Sequence, residues 1–340
     1  MSINENQSAK KPDIGGQAVL DGVMMKAPDH IAVAVRKPDG DIVIKRDAYV
    51  SPAKKHQWMG VPMIRGAVNM VMMMRLGMEV LSSSGQMSGM LDEEPSRFEK
   101  WLAKKLGKGV DKVVMGVAMV LALALSAGLF VLLPNLPAKA MRGAGWSLLS
   151  VNLISGLIRI VLLVGYLIFC GMIPEMKKTF QYHGAEHKTV YAHEAEVELT
   201  PENAQKFSCL HPRCGTSFLL ITFVFSILFF SVMDELALSL LGLDLGKVYF
   251  IRILSRLLLL PLVAGISYEI LKGLAHAQSP FARALRWPGM QLQRLTTREP
   301  SLEMLEVAIA SMNAALDGLP QGERTGEGYA LIKKAKPALQ

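Results

Sequence analysis

Four long apolar runs constrain the fold of this chain more than any other feature of its sequence. They cover residues 113–138, 146–173, 214–233 and 248–271. The core of a bilayer is about 30 Å thick and needs roughly 20 residues of helix, a length that each run reaches. Because the runs are continuous and do not alternate with polar residues, they predict helices and not the strands of a barrel. We therefore expect a mainly α, integral membrane protein with about four transmembrane helices in a domain over residues 113–272.

Composition supports this class and narrows the partners. Hydrophobic residues make up 51% of the 340 and charged residues 19%, which is more apolar and less charged than a typical soluble protein. The net charge of +8 suits nucleic acid or an anionic lipid surface. Since the sequence carries apolar runs and no nucleic-acid motif, we expect a lipid bilayer with anionic lipids as the partner and no nucleic acid. The three cysteines, Cys170, Cys209 and Cys214, are too few for a disulfide framework and suit a reducing compartment.

The basic residues that flank the runs predict the orientation of the helices. Lysine and arginine are concentrated before the first run, in the segment 174–213 and after the fourth run, and they are fewer in the two other connections. Cytoplasmic loops of membrane proteins are enriched in these residues. We therefore expect both termini and the 174–213 segment to lie in the cytosol. Residues 1–11 agree with this orientation, because they lack the apolar core of a signal peptide.

The N-terminal part of the chain predicts a small β-containing region. Residues 1–13 are polar and predict disorder, and the cytosolic region 14–58 follows them. Two β-branched runs, at 31–36 and 41–46, flank the turn sequence Lys-Pro-Asp-Gly at 37–40. Such runs around a turn whose glycine tolerates positive φ predict a β-hairpin.

The other segments outside the apolar runs have less specific patterns. The glycine-punctuated stretch 15–25 predicts a buried strand with tight turns, and a ligand-binding loop is the alternative. Residues 59–112 predict amphipathic or interfacial helices. The methionine-rich part, 59–81, either lies in the plane of the membrane or packs against the transmembrane helices. The cytosolic C-terminal segment 273–340 contains a predicted helix at about 301–316, which begins with a serine cap.

One polar motif is suited to catalysis. The sequence from Tyr182 to Lys188 contains H-x-x-E-H, the inverse of the zincin motif. His183 and His187 are one helical turn apart and can hold a divalent metal, for which zinc is the expected ion. Glu186 lies beside their helix face and can activate a water molecule, so we predict it as the catalytic residue.

Two carboxylates compete as the third metal ligand. Glu194 falls on the same helix face as His183 and His187 if residues 178–195 are helical. Glu269 lies near the cytosolic end of the fourth apolar run, where a carboxylate is costly and a functional role is the default. Inverzincins take their third ligand from a carboxylate far downstream, and this pattern favours Glu269.

Two further features add candidate site residues. Cys209, His211 and Cys214 form a Cys-x-His-x-x-Cys sequence with three soft ligands for zinc. This sequence could complete the site of His183 and His187, form a second structural site, or bind no metal. Arg159, inside the second apolar run, needs an acceptor or a water-filled cavity. It is either a clamp between helices or a contact for a substrate or an anionic lipid head group.

Five segments together resemble the bacterial YqhQ-like membrane proteins. They are GGQAVLDGVMM (15–25), VRKPDG (35–40), YHGAEHK (182–188), RCGTSF (213–218) and LTTREP (295–300). That family has an unknown function and has been labelled a predicted metal-dependent enzyme. The resemblance implies a protein of the bacterial cytoplasmic (inner) membrane and marks His183, Glu186, His187 and Cys214 as matching positions. It implies no substrate.

Two functions remain open from the sequence. The first is a membrane-embedded, zinc-dependent hydrolase that acts at the cytosolic membrane face on a peptide or a lipid. The second is a non-enzymatic scaffold or transporter component, in which the His/Glu cluster is structural and the C-terminal segment recruits a cytosolic protein partner. The LTTREP segment favours the second function, because hydrolysis does not explain it.

Overall fold

The computed structural model describes residues 14–51, 56–89, 110–244, 249–277, 279–326 and 329–334. The predicted disorder of residues 1–13 and most of the lysine-rich segment before the first apolar run lie outside these residues. The described part is mostly helical and includes one antiparallel sheet.

The described strands form one antiparallel sheet in the order β1-β2-β3-β4-β5. The predicted hairpin is confirmed, since Arg36 pairs with Ile42 across a turn in which Gly40 has a φ of 93°. The stretch 15–25 forms a second hairpin, in which the second strand is buried, as expected, and the first is mostly not. The strand bounds are Gly15–Val19 (β1), Gly22–Lys26 (β2), His30–Arg36 (β3), Ile42–Ala48 (β4) and Ala330–Ile332 (β5).

Helices make up most of the remaining described chain. A short 3-10 helix, Gln57–Gly60, precedes them, and a π-helical turn, Gly128–Leu132, separates α2 from α3. The α-helices are Ile64–Met87 (α1), Val110–Ala127 (α2), Leu133–Gly143 (α3), Leu148–Cys170 (α4), Pro174–Glu194 (α5), Pro201–Gln205 (α6), Gly215–Leu241 (α7), Tyr249–His276 (α8), Pro280–Thr296 (α9) and Leu302–Leu316 (α10).

Among the described helices, four segments are long and apolar enough to cross a membrane. They are Gly116–Gly143, Leu148–Cys170, Gly215–Leu241 and Phe250–Leu274, and each overlaps one of the four runs predicted from the sequence. The first segment continues beyond the predicted end at residue 138, because the helix resumes after the π-helical turn and runs through two prolines.

The sheet is covered by helices on both faces. Alternate strand residues such as Met25 and Ile44 pack against α5 and α10, while their neighbours, such as Val33, pack against α1. The period of two in a strand explains why the sheet has two apolar faces. Ser311 of α10 fastens the first face, since its Oγ accepts a hydrogen bond from Met25 N at 3.1 Å and donates to Ala32 O at 2.9 Å. The predicted serine cap is also present, because Ser301 Oγ accepts a hydrogen bond from Met304 N.

Helix α1 joins the sheet to the apolar helices. Its C-terminal half buries Val80 and Met87 against the sheet. Its N-terminal half crosses α8 so closely that a Cβ on Gly66 would lie 2.9 Å from Gly265 Cα. Met74 and Met78 remain more than half exposed. The helix therefore packs on the apolar helices, as one interpretation of its sequence predicted, and still presents a methionine-rich face.

Candidate metal centre

The H-x-x-E-H motif lies in the second half of α5, where the helix is most enclosed. Residues 184–190 are all buried, and α5 contacts the sheet, α6 and α10. His183 and His187 are one turn apart on the same helix face, and their ring centroids are 4.5 Å apart. Burial raises the pKa of Tyr182, which precedes the motif and packs in the core between α5 and the sheet. The sequence correctly predicted that this segment is helical.

Cys214 completes a group of three ligand-type side chains. Its Sγ lies 3.3 Å from Nε2 of His183. His183, His187 and Cys214 each offer one possible metal-ligand atom, and these three atoms all lie within 4.8 Å of one another. No other such group is found among the described residues. Cys214 is also the N-cap of α7, where its Sγ accepts a hydrogen bond from Thr216 N at 3.4 Å. The amide groups and dipole at a helix N-terminus favour a negatively charged ligand such as a thiolate.

Backbone carbonyls orient both histidine rings. Nδ1 of His183 lies 2.8 Å from Thr296 O, and Nδ1 of His187 lies 2.5 Å from Cys209 O. A carbonyl oxygen can only accept a hydrogen bond, so each Nδ1 is the donor, and Nε2 is the nitrogen that a neutral ring offers to a metal. Histidines that bind metals are held in this way, with the second ring nitrogen donating to a carbonyl or carboxylate.

One distance within the group is close to that of a zinc site. Ligand atoms of a tetrahedral site with nitrogen and sulfur donors lie about 3.5 Å apart, which follows from the usual bond lengths. The observed separation of 3.3 Å between Cys214 Sγ and His183 Nε2 is close to that value. Two neutral imidazoles and one thiolate are also ligands that zinc accepts together. His183, His187 and Cys214 could therefore hold a divalent metal.

Glu186 lies beside this group and is enclosed by the first strand. Its Oε2 is 3.4 Å from His187 Nε2, and the residue is 6% exposed. A Cβ on Gly16 of β1 would lie 2.6 Å from Glu186 Cγ, so glycine is required for this close approach. The carboxylate is thus next to a ring nitrogen of one candidate ligand.

The structure brings neither predicted carboxylate ligand into the group. Glu269 of α8 binds Arg65 of α1 through its Oε1, at 2.7 Å from Arg65 Nε, and also accepts from Met63 N. Glu194 ends α5 and forms an ion pair with Arg213. The structure therefore places Glu269 and Glu194 away from the two histidines, whereas Cys214, the other candidate ligand from the sequence, lies beside them.

The Cys-x-His-x-x-Cys sequence divides between two environments. Cys209 Sγ faces Glu299, 3.2 Å from its Oε2, and burial together with this hydrogen bond raises the pKa of the Cys209 thiol to about 12. Nδ1 of His211 accepts a hydrogen bond from Arg213 N, and its Nε2 lies 3.6 Å from Oε2 of Glu194. Burial lowers the pKa of its ring. Of the three residues of this sequence, Cys214 alone joins the two histidines.

The LTTREP segment lies against α5 and was not predicted as part of the site. Arg298 N donates to Phe180 O at 2.9 Å. A Cβ on Gly184 would collide with Arg298 O, which shows how closely the segment approaches the helix. Lys188, which is 3% exposed, donates to Glu299 Oε1 at 2.7 Å and to the carbonyls of Gln205 and Phe207. The glycine between the two histidines of the motif is the one sequence signal that could have indicated this contact.

Arg159 lies apart from the cluster of His183, His187 and Cys214, which is called the metal group below. Its Nε donates to Phe130 O at 3.0 Å, a carbonyl in the π-helical turn. A wider helical turn shifts backbone carbonyls out of the regular hydrogen-bond pattern, and such turns are common at functional sites. The side chain therefore does link two helices, as the clamp interpretation predicted, and it also lines a cavity.

These features define a mostly helical protein with four candidate membrane spans, an N-terminal antiparallel sheet and a partly buried His/Cys group. The chain belongs to the family described as "Protein of unknown function (DUF1385)", which matches residues 61–318. It is 33% identical over 311 residues to "Uncharacterized protein YqhQ" of Bacillus subtilis (strain 168), and the comparison covers 90% of this chain and 92% of that relative. No solved structure matches it. The resemblance to YqhQ-like proteins is thereby confirmed.

Proposed function

We propose that this protein is a membrane-embedded, zinc-dependent hydrolase that acts at the cytosolic membrane face on a peptide or a lipid. The observation that carries the proposal is the convergence of one ligand atom each from His183, His187 and Cys214, with Glu186 beside them. Three protein ligands leave the fourth position of a tetrahedral ion open, which is the pattern of catalytic and not of structural zinc sites.

The placement in a membrane is supported by the outward faces of the apolar helices. Side chains such as Leu125, Leu157 and Leu258 are each more than 60% exposed. In water this surface would be far larger than the apolar patches of soluble proteins, whereas lipid chains would cover it. The bacterial cytoplasmic (inner) membrane is the compartment that the family relationship to a Bacillus subtilis protein favours.

The sheet supports an even number of membrane crossings. Strand β5 near the C-terminus pairs with β4 near the N-terminus, so both segments lie on the same side of a membrane that the helices cross. Helix α5 packs on the same sheet, so the metal group lies on that side too. Four spans, two before α5 and two after it, satisfy this condition. The basic residues of the 174–213 segment favour the cytosol as that side.

Each residue of the site has a role in the proposed hydrolysis. A zinc ion, when bound, would polarise a carbonyl or phosphoryl oxygen and lower the pKa of a water molecule. Glu186 takes a proton from the attacking water and passes it to the leaving group, as general base and then general acid. Thr296 O and Cys209 O keep the two imidazole rings oriented while the proton moves.

One observation favours the alternative, a non-enzymatic scaffold or transporter component. His187 is 2% exposed and Glu186 6%, so the group is enclosed in the way that structural sites are. In this alternative the site ties α5, α7 and α9 together, and the C-terminal segment recruits a cytosolic protein partner. The LTTREP segment does not require such a partner, because its contacts with α5 account for its position.

Metal analysis of the detergent-purified, full-length protein tests the proposal. We expect about one zinc per chain, loss of zinc in His183→Ala and Cys214→Ala, and retention in Glu186→Gln. His193→Ala is the matched control, because His193 lies on α5 outside the group and its removal should leave the zinc in place. Wild-type protein that neither carries zinc after gentle purification nor binds it in titration would overturn the proposal.

A second measurement separates the enzyme from the structural site. Removal of zinc should lower the melting temperature in both cases, because metal binding stabilises the fold. Only for an enzyme should Glu186→Gln abolish hydrolysis of a panel of peptides and lipid esters while zinc content and melting temperature stay near those of the wild type. A wild-type protein with bound zinc and no hydrolysis of any panel member favours the scaffold.

A further inference from the structure

A second polar cluster lies among the apolar helices, away from the metal group. A cavity of about 400 Å³ separates the π-helical turn from α4, α7 and α8. Three arginines line it, Arg159 from α4 and both Arg252 and Arg256 from the first turns of α8. In the proposed orientation these turns face the outer half of the membrane, whereas the metal group faces the cytosol. The cavity is therefore a separate site.

The cavity has more positive than negative charge. Asp234 of α7 accepts hydrogen bonds on its Oδ2 from Arg252 at 2.8 Å and from Arg256 at 3.1 Å. Asn152 donates to the same oxygen at 2.8 Å. Within the described part of the chain, these two arginines donate to no other carboxylate. The adjacent Glu235 does not line the cavity. Three arginines thus line the cavity, and one carboxylate pairs with two of them.

Two of the arginines retain buried N–H groups without an acceptor. The Nε atoms of Arg252 and Arg256 are buried and have no hydrogen-bond partner among the described residues. Arg252 as a whole is 8% exposed. A buried donor of this kind destabilises a fold unless an acceptor satisfies it, and a charged donor most of all. Such groups favour an anion with several acceptor oxygens, which a guanidinium binds in a planar, forked geometry.

The rest of the cavity is apolar and reaches the outer surface of the helices. Phe223 and Phe230 line its wall. Val131, Leu257 and Leu260 also line it, and each is at least 45% exposed on the surface that lipid would cover. A ligand that matches this cavity therefore has an anionic group at one end and a hydrocarbon chain at the other.

We propose that this cavity binds the anionic head group of a membrane lipid. The phosphate lies against Arg159, Arg252 and Arg256, and the acyl chains leave past Leu257 and Leu260 into the bilayer. This inference rests on the proposed membrane placement and not on the metal chemistry. Lipid binding in the cavity and hydrolysis at the metal group can therefore be confirmed or refuted independently.

Lipid binding by the full-length protein tests the inference. The protein is purified in a neutral detergent and titrated with phosphatidylglycerol or with phosphatidylcholine of the same acyl chains, and bound lipid is counted by native mass spectrometry. We expect wild-type protein to bind phosphatidylglycerol about tenfold more tightly or better, since several charge-assisted hydrogen bonds distinguish the two lipids. Inorganic phosphate and glycerol phosphate, added at the same concentrations, should bind far more weakly.

Matched variants locate the binding. Arg256→Gln and Arg159→Gln should remove most of the preference for phosphatidylglycerol. Ser226→Phe should do the same by filling the cavity without a change of charge, which keeps the test informative if an arginine variant fails to fold. Arg142→Gln is the control, because Arg142 pairs with Asp244 and does not line the cavity.

Three results would overturn the inference. The first is equal binding of the two lipids by the wild type. The second is an equal loss in Arg142→Gln and in the cavity variants, which would mean that surface charge attracts the lipid. The third is binding of inorganic phosphate as tight as that of phosphatidylglycerol. That result would assign the cavity to a soluble anion.

Discussion

The carbonyl oxygen of Thr296 lies 2.8 Å from Nδ1 of His183 and accepts a hydrogen bond from it. Thr296 is the last residue of α9, and His183 is in the middle of α5. The end of one helix thereby fixes the tautomer of a candidate metal ligand on another. The candidate centre depends on the packing of the segment after α9 as much as on the H-x-x-E-H motif itself.

Gly184→Ala tests that packing. The new methyl group would collide with Arg298 O and push the LTTREP segment away from α5. Overpacking of this kind costs about 1–3 kcal/mol. We expect a lower melting temperature and a weakened zinc affinity, measured by thermal unfolding and by titration with zinc.

A glycine in open space is the control for this prediction. A Cβ added to Gly165 of α4 would have no other atom within 4 Å. Gly165→Ala should leave zinc binding unchanged and should not lower the melting temperature, since alanine is the better helix former. If Gly184→Ala behaves in the same way, the contact with Arg298 does not constrain the site.

Lys188→Met tests the buried ammonium group next to the motif. Lys188 donates to two backbone carbonyls and to Glu299, and the substitution leaves those carbonyls without a donor. We expect a loss of about 2–4 kcal/mol in the free energy of unfolding, measured with denaturant. Lys178→Met should cost under about 1 kcal/mol, because Lys178 is half exposed where it pairs with Asp21. Similar losses in the two variants would contradict the role assigned to Lys188.

Glu269→Gln and Glu194→Gln test the assignment of the third ligand. Both carboxylates pair with arginines outside the metal group, so both variants should keep the zinc content of the wild type. Cys214→Ala should lose it. Glu269→Gln should also loosen α1 from α8, which faster hydrogen exchange in α1 would show. If Glu269→Gln loses zinc and Cys214→Ala keeps it, the third ligand is Glu269 and not Cys214.

Reporter fusions test the topology. A reporter fused after Arg142 or Asp244 should read as outside, and one fused after Glu194 or Gln293 should read as cytosolic. These positions follow from the basic residues near the ends of the spans and from the sheet that joins the two ends of the chain. A cytosolic reading after Arg142 would contradict the placement of the metal group at the cytosolic face.

The apolar helices and the hairpin could be predicted from the sequence, because each depends on a local pattern. A continuous apolar run of sufficient length predicts a candidate span without knowledge of its neighbours. The turn at Gly40 likewise needs only the residues on either side of it. The two histidines could be placed on one face because the period of a helix is fixed.

The sequence could not decide among Glu269, Glu194 and Cys214 as the third member of the group, because contacts between distant parts of the chain position all three. Glu269 satisfied the sequence argument, but Arg65, 204 positions away, binds it in the fold. Glu194 lies on the expected helix, but Arg213 neutralises it. Strand β5 was also missed, since three residues carry no recognisable pattern and pair only because β4 offers a free edge.

The hydrogen bond between Met25 and Ser311 joins residues 286 positions apart and has a consequence for biosynthesis. The N-terminal hairpins leave the ribosome first, yet α10 and β5, which cover one face and one edge of their sheet, are translated last. All four apolar helices must therefore be synthesised before the sheet can close. Until then the strand edge and the apolar face of the nascent sheet are open to aggregation, so ribosome-bound intermediates of this protein should require a chaperone.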